Sequence, residues 1–268
     1  MKDLDTKYDI FNVFGEGKDL LICIHGYGQT YKVFSTLPNI LKNTIILTIN
    51  LPHHPFQNKL DNLDSQIYFT EIITFIEKLT SEKKIKNWSI CGYSIGARIA
   101  CFLYLRFPTK CKELHLIAPD GIGDNVIFPI ATAKLIQPVF KLIMTNAVKV
   151  SKLISVAKFL NIISVKQERF IKQNLTNNLY SSRIAETWIS ISVANFSKTD
   201  LINKVKKTES KLLLFLGKYD AVILKKDLDN FILQLPKESI IYLEADHNRA
   251  LFKYFEWLKT KKTSQDAS

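Results

Sequence analysis

Short apolar runs rich in β-branched residues alternate along this chain with longer segments of helical periodicity, and that alternation narrows the fold more than any other property of the sequence. Seven runs read as strands: Asp9 to Phe14, Leu20 to Ile24, Ile45 to Ile49, Trp88 to Cys91, Glu113 to Ile117, Lys211 to Leu216 and Ser239 to Leu243. Several, such as "TIILTI" and "KLLLFL", are apolar at every position rather than at every second one. Strands covered on both faces have that pattern, so a mostly parallel sheet is expected. The first two runs differ, because "GEG" at 15 to 17 separates them by a tight turn that predicts an antiparallel hairpin. Helix-length segments follow at Phe34 to Lys42, Leu63 to Lys78, Ile95 to Arg106, Lys225 to Gln234 and Asn248 to Lys259. In the second of these, Ile67, Ile72, Phe75, Ile76 and Leu79 fall near helical spacing and should pack on the sheet. The βαβα rhythm predicts a doubly wound α/β architecture, in which ligands gather at the carboxyl ends of the strands.

The rhythm breaks once. From about Gly123 to Lys198 there is no strand pattern, only helical stretches rich in Leu, Ile, Val and Phe. A helical lid at 123–198 is therefore expected, inserted into a core made of 1–122 and 199–268. Residues 124–210 hold 13 Lys or Arg against 5 Asp or Glu, a surplus of 8 within a net charge of +12. A basic surface attracts polyanions. The lysines are scattered along helical faces, however, with no dense tract and no recognition signature, so no nucleic-acid partner is expected. The most apolar region, Leu135 to Ile163, is interrupted by Lys141, Lys149, Lys152 and Lys158, which excludes stable membrane insertion as an expectation. The start, "MKDLDTKYDIFNVF", carries acids and no apolar run of the secretory kind, and the cytoplasm is the expected location. Cys23, Cys91, Cys101 and Cys111 lie in or beside apolar segments without metal-type spacing and read as buried thiols. No glycine-rich dinucleotide fingerprint follows a strand and no P-loop occurs, so no cofactor is implied.

Chemistry enters with "GYSIG", where Ser94 stands between Gly92 and Gly96 at the junction of a strand and a helix. A sharp turn there lifts a side chain clear of the sheet, and glycines on either side let strand and helix approach. Asp220, in "GKYDAVI", and His247, in "EADHNRA", each lie just beyond an apolar strand. Ser94, Asp220 and His247 thus occur in the order Ser, acid, His, each in a loop at the same edge of the sheet.

With "GYSIG", "IHGYGQT", "LIAPDG", "GKYD" and "DHN" in these places, the chain resembles the α/β-hydrolase superfamily over nearly its whole length. The resemblance implies Ser94 as nucleophile, His247 as general base and then acid, and Asp220 as the residue that holds the imidazole tautomer. It also implies an oxyanion hole made by the backbone N–H groups of Tyr27 and Ile95. A serine at the elbow excludes the dehalogenases and epoxide hydrolases of this fold, which use aspartate there. The expected activity is hydrolysis of an ester or thioester with an apolar acyl part through an acyl-enzyme on Ser94. Alternatives are C–C bond hydrolysis on the same triad and a non-catalytic ligand binder on the same fold. The expected partner is a small-molecule acyl ester or thioester, with an acyl carrier or coenzyme A thioester as a possible donor.

Two departures stand out. Where many members carry D-x-P-G-x-G-x-S, this chain has "NLPHHPFQNK", with Asn50 for the acid and His53, His54 and Pro55 near the glycine positions. Glycine often precedes the family's histidine, whereas Asp246 stands there and would raise the pKa of His247 if it faced the ring. Among other candidates, His25 reads as a loop organiser, and His53 and His54 read as solvated loop residues rather than metal ligands. His115 reads as a packed strand residue. Asp120 is a rival acid after another strand, although "GKYDAVI" fits the commoner motif.

Overall fold

A computed structural model describes residues 9–54, 60, 63–124, 127–146, 158 and 178–266. The strands are β1 Phe11–Phe14, β2 Asp19–Ile24, β3 Thr44–Ile49, β4 Trp88–Tyr93, β5 Cys111–Ile117, β6 Lys211–Gly217 and β7 Ile240–Leu243. They form one sheet in the order β1-β3-β2-β4-β5-β6-β7, and every pairing is parallel except that of β1 with β3. The α-helices are α1 Leu37–Ile40, α2 Ser65–Glu82, α3 Gly96–Arg106, α4 Ile127–Ala131, α5 Gln137–Thr145, α6 Asn178–Ile191, α7 Lys198–Lys207, α8 Lys225–Ile232 and α9 Ala250–Asp266.

Successive strand residues divide between two apolar layers, which explains the uninterrupted apolar runs. Leu20, Ile22 and Ile24 pack with residues of α2, α3 and α7, whereas Leu21 and Cys23 pack with α1 and α9. Both faces are covered, as the doubly wound reading requires. All four cysteines are free and buried. Between 124 and 198 the described residues form no strand, only α4, α5, α6 and single turns. Much of the expected lid, with Phe159 and Phe170, and residues 55–59 lie outside the described residues. No helix among the described residues is long and apolar enough to cross a membrane.

Three sequence expectations are corrected. First, β1 and β2 do not form a hairpin. β3 lies between them, with Phe11 opposite Ile49 and Asp19 opposite Thr44. The chain crosses the end of β3 at Gly17, whose φ of 147° and 2.0 Å clearance from the Asn43 carbonyl leave no room for a side chain. Lys18 and Asp19 N–H then donate to Asn43 O, both at 3.2 Å. Second, the segment at 34–42 is a 3-10 turn, Tyr31–Phe34, followed by the single-turn α1. Pro38 lacks an N–H and fits only the first turn of a helix, so a helix cannot run through it from Phe34. Third, Ile67 is 47% exposed, and Tyr68 and Phe69 take its place on the buried face of α2 with Ile72, Phe75, Ile76 and Leu79. Asp64 caps this helix by accepting from Gln66 N and Ile67 N, which fixes the start of the helix and so which face turns inward.

Candidate active site

Ser94 follows β4 with φ at 52°, in the left-handed region that costs a side-chain-bearing residue on the order of 1–2 kcal/mol. The neighbouring strand and loop hold it there. Its N–H donates to Ile117 O at 2.9 Å, and its carbonyl accepts from Ala97 N and Asp120 N, both at 3.0 Å. The flanking glycines are required by space. A Cβ on Gly92 would lie 2.6 Å from Ala100 Cβ, and one on Gly96 would lie 2.5 Å from Ile24 O. Helix α3 thus approaches β4 at Gly92 and the end of β2 at Gly96 too closely for any larger residue.

The loops after β6 and β7 bring their polar residues to the same place. His247 Nε2 lies 3.0 Å from Ser94 Oγ, and His247 Nδ1 lies 2.8 Å from Asp220 Oδ2. The other carboxylate oxygen of Asp220 accepts from Val222 N and Ile223 N at 2.8 and 2.9 Å, so the acid is anchored from behind. Its side chain is 2% exposed. Tyr93 OH donates to His247 O at 2.7 Å and ties the histidine loop to the elbow. An imidazole whose Nδ1–H is held by a carboxylate directs its Nε2 lone pair at the hydroxyl. That arrangement can take a proton from Ser94.

The "HGYG" loop runs beside Ser94: a Cβ on Gly26 would lie 3.3 Å from Ser94 Cβ. His25 is fully buried, with Nδ1 2.8 Å from Gly26 O and Nε2 accepting from Leu51 N at 3.4 Å. Burial pushes its pKa down to about 4, so the ring is neutral and serves to hold the loop. The N–H groups of Tyr27 and Ile95 have no acceptor among the described residues, whereas those of Gly26, Gly28 and Gln29 are all engaged. Both donors are therefore unspent, one in the loop beside Ser94 and one on the residue that follows it.

A family model of the alpha/beta hydrolase fold matches residues 19–253. The chain belongs to the α/β-hydrolase family. Among curated proteins this α/β-hydrolase is 25% identical over 126 residues to "Putative esterase/lipase 2" of Mycoplasma genitalium, covering 46% of this chain and 45% of that protein. It is 26% identical over 138 residues to "Ethanol acetyltransferase 1" of Hanseniaspora uvarum, covering 47% of this chain and 40% of that protein. Each match thus spans less than half of the relative's own length. Among solved structures, the thioesterase domain from the curacin biosynthetic pathway superposes with a TM-score of 0.58 at 14% identity, covering 92% of this chain and 94% of that one. Such a likeness bears on the fold alone.

Other residues of the hydrolase singled out from the sequence lie elsewhere. Asp120 is engaged by another partner: its carboxylate accepts from Arg98 Nε at 2.8 Å and Nη2 at 3.3 Å. Arg98 in turn stacks on Phe128, its guanidinium carbon 3.4 Å from the ring centre. The Asp246 carboxylate accepts from Arg249 N at 2.9 Å, whereas the ring nitrogens of His247 meet Ser94 and Asp220. His115 is buried between Tyr254 OH at 2.7 Å and Glu113 at 2.9 Å, within the sheet's packing. No group of three or more His, Cys, Asp or Glu among the described residues could hold a metal ion.

The reading of His54 as a solvated loop residue is corrected. His54 is fully buried, and its Nε2 accepts from Gly28 N at 2.8 Å. Its backbone carbonyl accepts from Arg183 Nη1 of α6 at 3.0 Å. The one sequence signal for this was the departure itself, the "NLPHHPFQNK" segment that follows β3.

Proposed function

We propose that this α/β-hydrolase is a serine hydrolase that cleaves an ester or thioester with an apolar acyl part. The observation that carries the reading is the hydrogen-bonded series Ser94, His247, Asp220 at 3.0 and 2.8 Å on a strained strand-to-helix turn. Ser94 Oγ attacks the carbonyl as His247 Nε2 takes its proton, and the carbonyl oxygen becomes negative between the N–H groups of Tyr27 and Ile95. His247 then protonates the departing alcohol or thiol, leaving Ser94 acylated. Water, losing a proton to the same imidazole, releases the acid and restores Ser94. Asp220 holds the proton on Nδ1 throughout. The esterase/lipase relative supports an ester substrate. Segment 123–198 is read as a lid, and its exposed Ile127, Ile130, Leu135, Val139 and Leu142 supply apolar surface suited to an acyl chain.

A fluorophosphonate probe tests the reading directly, because it phosphonylates a serine only where a base and an oxyanion hole activate it. Peptide mapping should find the adduct on Ser94 in the wild-type chain. An intact folded protein that stays unlabelled would instead be a ligand binder, and the hydrolase reading would be lost.

The basic surplus in residues 124–210 further supports an anionic acyl donor, such as an acyl carrier or coenzyme A thioester. The kcat/KM for an anionic thioester should then fall as salt rises from about 0.01 to 0.5 M, a range over which the Debye length shrinks from ~30 Å to under 10 Å. A neutral ester of equal acyl length should show no such fall. Parallel curves for the two substrates would mean that the lysines only solvate the surface.

A further inference from the structure

The N–H of Tyr27 can serve a developing oxyanion only if its peptide plane is held in one orientation, and two imidazoles hold the planes on either side of Tyr27. A peptide unit is planar and trans, so its C=O and N–H point in opposite directions. In the unit joining Gly26 to Tyr27, the carbonyl is held by His25 Nδ1 at 2.8 Å and by Gln29 N at 3.3 Å, which turns the Tyr27 N–H the other way. In the next unit, Gly28 N–H donates to His54 Nε2 at 2.8 Å. The rotations at Tyr27 are the only soft degrees of freedom between these two planes, and fixing both planes fixes them. The two rings meet edge to face with centroids 5.0 Å apart, so the clamp packs as a unit.

Helix α6 grips the same clamp at three points. Arg183 Nη1 donates to His54 O at 3.0 Å, Thr187 Oγ1 to Pro52 O at 2.9 Å, and Tyr27 OH to Tyr180 O at 3.2 Å. His53, directly before His54, sits at φ 53°, a conformation a non-glycine residue keeps only where its surroundings enforce it. We propose that His54 is a positioning residue for catalysis: by accepting from Gly28 N–H it holds the peptide plane that follows Tyr27, so that the Tyr27 N–H oriented by His25 cannot swing, and through its backbone it makes that hold depend on the seating of α6. This rests on the reading of Tyr27 as an oxyanion donor. The role needs an acceptor nitrogen at all working pH values. Burial supplies it by pushing the His54 pKa down to about 3, with the neighbouring His25 and Arg183 acting in the same direction.

Two nearly isosteric replacements separate the acceptor from the packing. His54→Gln keeps an oxygen able to accept from Gly28 N–H, and His54→Met does not. The Met variant should lose about 10- to 100-fold in kcat with little change in KM, as expected when a donor is misplaced by an ångström or less. The Gln variant should recover most of that loss. An alkyl boronic acid, which forms a tetrahedral adduct on the serine, should lose affinity in step with kcat, while inhibition by the product carboxylate stays the same. A merely structural role would move both inhibitors and the melting temperature together. Equal activity in the Gln and Met variants, or a change confined to KM, would overturn the assignment. If the Met variant does not fold, Arg183→Met decides, since it frees the His54 backbone while leaving the imidazole itself intact; an unchanged kcat there defeats the coupling to α6. Wild-type labelling at Ser94 separates the two levels. Label present with indifferent His54 variants sinks only this inference, whereas a wild-type chain without label takes both readings down.

Discussion

Replacing Ser94 with alanine should remove nearly all turnover, on the order of 10⁶ in kcat where a triad serine has been deleted, while leaving the fold in place. The expected stability change is small for a specific reason. Ser94 sits at φ 52°, and alanine meets the same left-handed strain as serine, so the backbone cost is unchanged. The N–H and C=O of residue 94 keep their partners at Ile117, Ala97 and Asp120, because none of those bonds uses the side chain. What disappears is one oxygen, 3.0 Å from His247 Nε2. The residual rate should still exceed that in water by roughly 10³ to 10⁴, since the donors at Tyr27 and Ile95 and the binding surface remain. Hydrolysis at the wild-type rate in a correctly folded Ser94→Ala protein would rule out an acyl-enzyme on this residue.

The positions of Ser94, Asp220 and His247 were legible because each lies just beyond the end of a strand that announces itself. "WSIC", "KLLLFL" and "IIYL" are short, apolar and bounded by turn residues, and in a parallel sheet their carboxyl ends fall on one edge. Strand existence was therefore readable, but strand neighbours were not. The glycines around Glu16 have the turn chemistry of a hairpin, yet that chemistry is equally suited to crossing the end of another strand. The choice between the two depends on Thr44–Ile49, some 30 residues away in sequence, pairing with both β1 and β2. Local turn signals carry no information about what is inserted between the strands they join.

His54 was illegible for a related reason. Two adjacent histidines next to a proline look like a solvated loop, and nothing nearby in the sequence says that one ring is buried against His25 while accepting from Gly28. Its function depends on a backbone N–H 26 residues earlier and on a helix more than 120 residues later. Periodicity finds side chains that share an element. It does not find a side chain whose partner is main chain on another loop.

The acid of the series offers the sharpest comparison, because two aspartates stand beyond neighbouring strands and the geometry separates their roles. Asp220→Asn should lower kcat on the order of 10⁴, the scale seen where an amide replaces a triad carboxylate. The mechanism is tautomeric. The amide oxygen can still accept from Val222 N and Ile223 N, as Oδ1 of Asp220 does at 2.8 and 2.9 Å, which leaves the NH₂ group facing His247 Nδ1. That nitrogen must then accept rather than donate, the imidazole proton moves to Nε2, and Nε2 can no longer take the proton of Ser94. Asp120→Asn should behave differently. Its carboxylate holds Arg98, so the change leaves a guanidinium with 10% of its side chain exposed and no matching charge, and the loss should appear in stability, roughly 1–3 kcal/mol. The backbone bond from Asp120 N to Ser94 O survives the substitution, so the elbow keeps its shape and kcat should change little. Measuring kcat and melting temperature for both variants gives a crossed pattern: activity without stability for one, stability without activity for the other. The reverse ranking in kcat would move the catalytic acid to the loop after β5, and the hydrogen bond from His247 to Asp220 would then be structural.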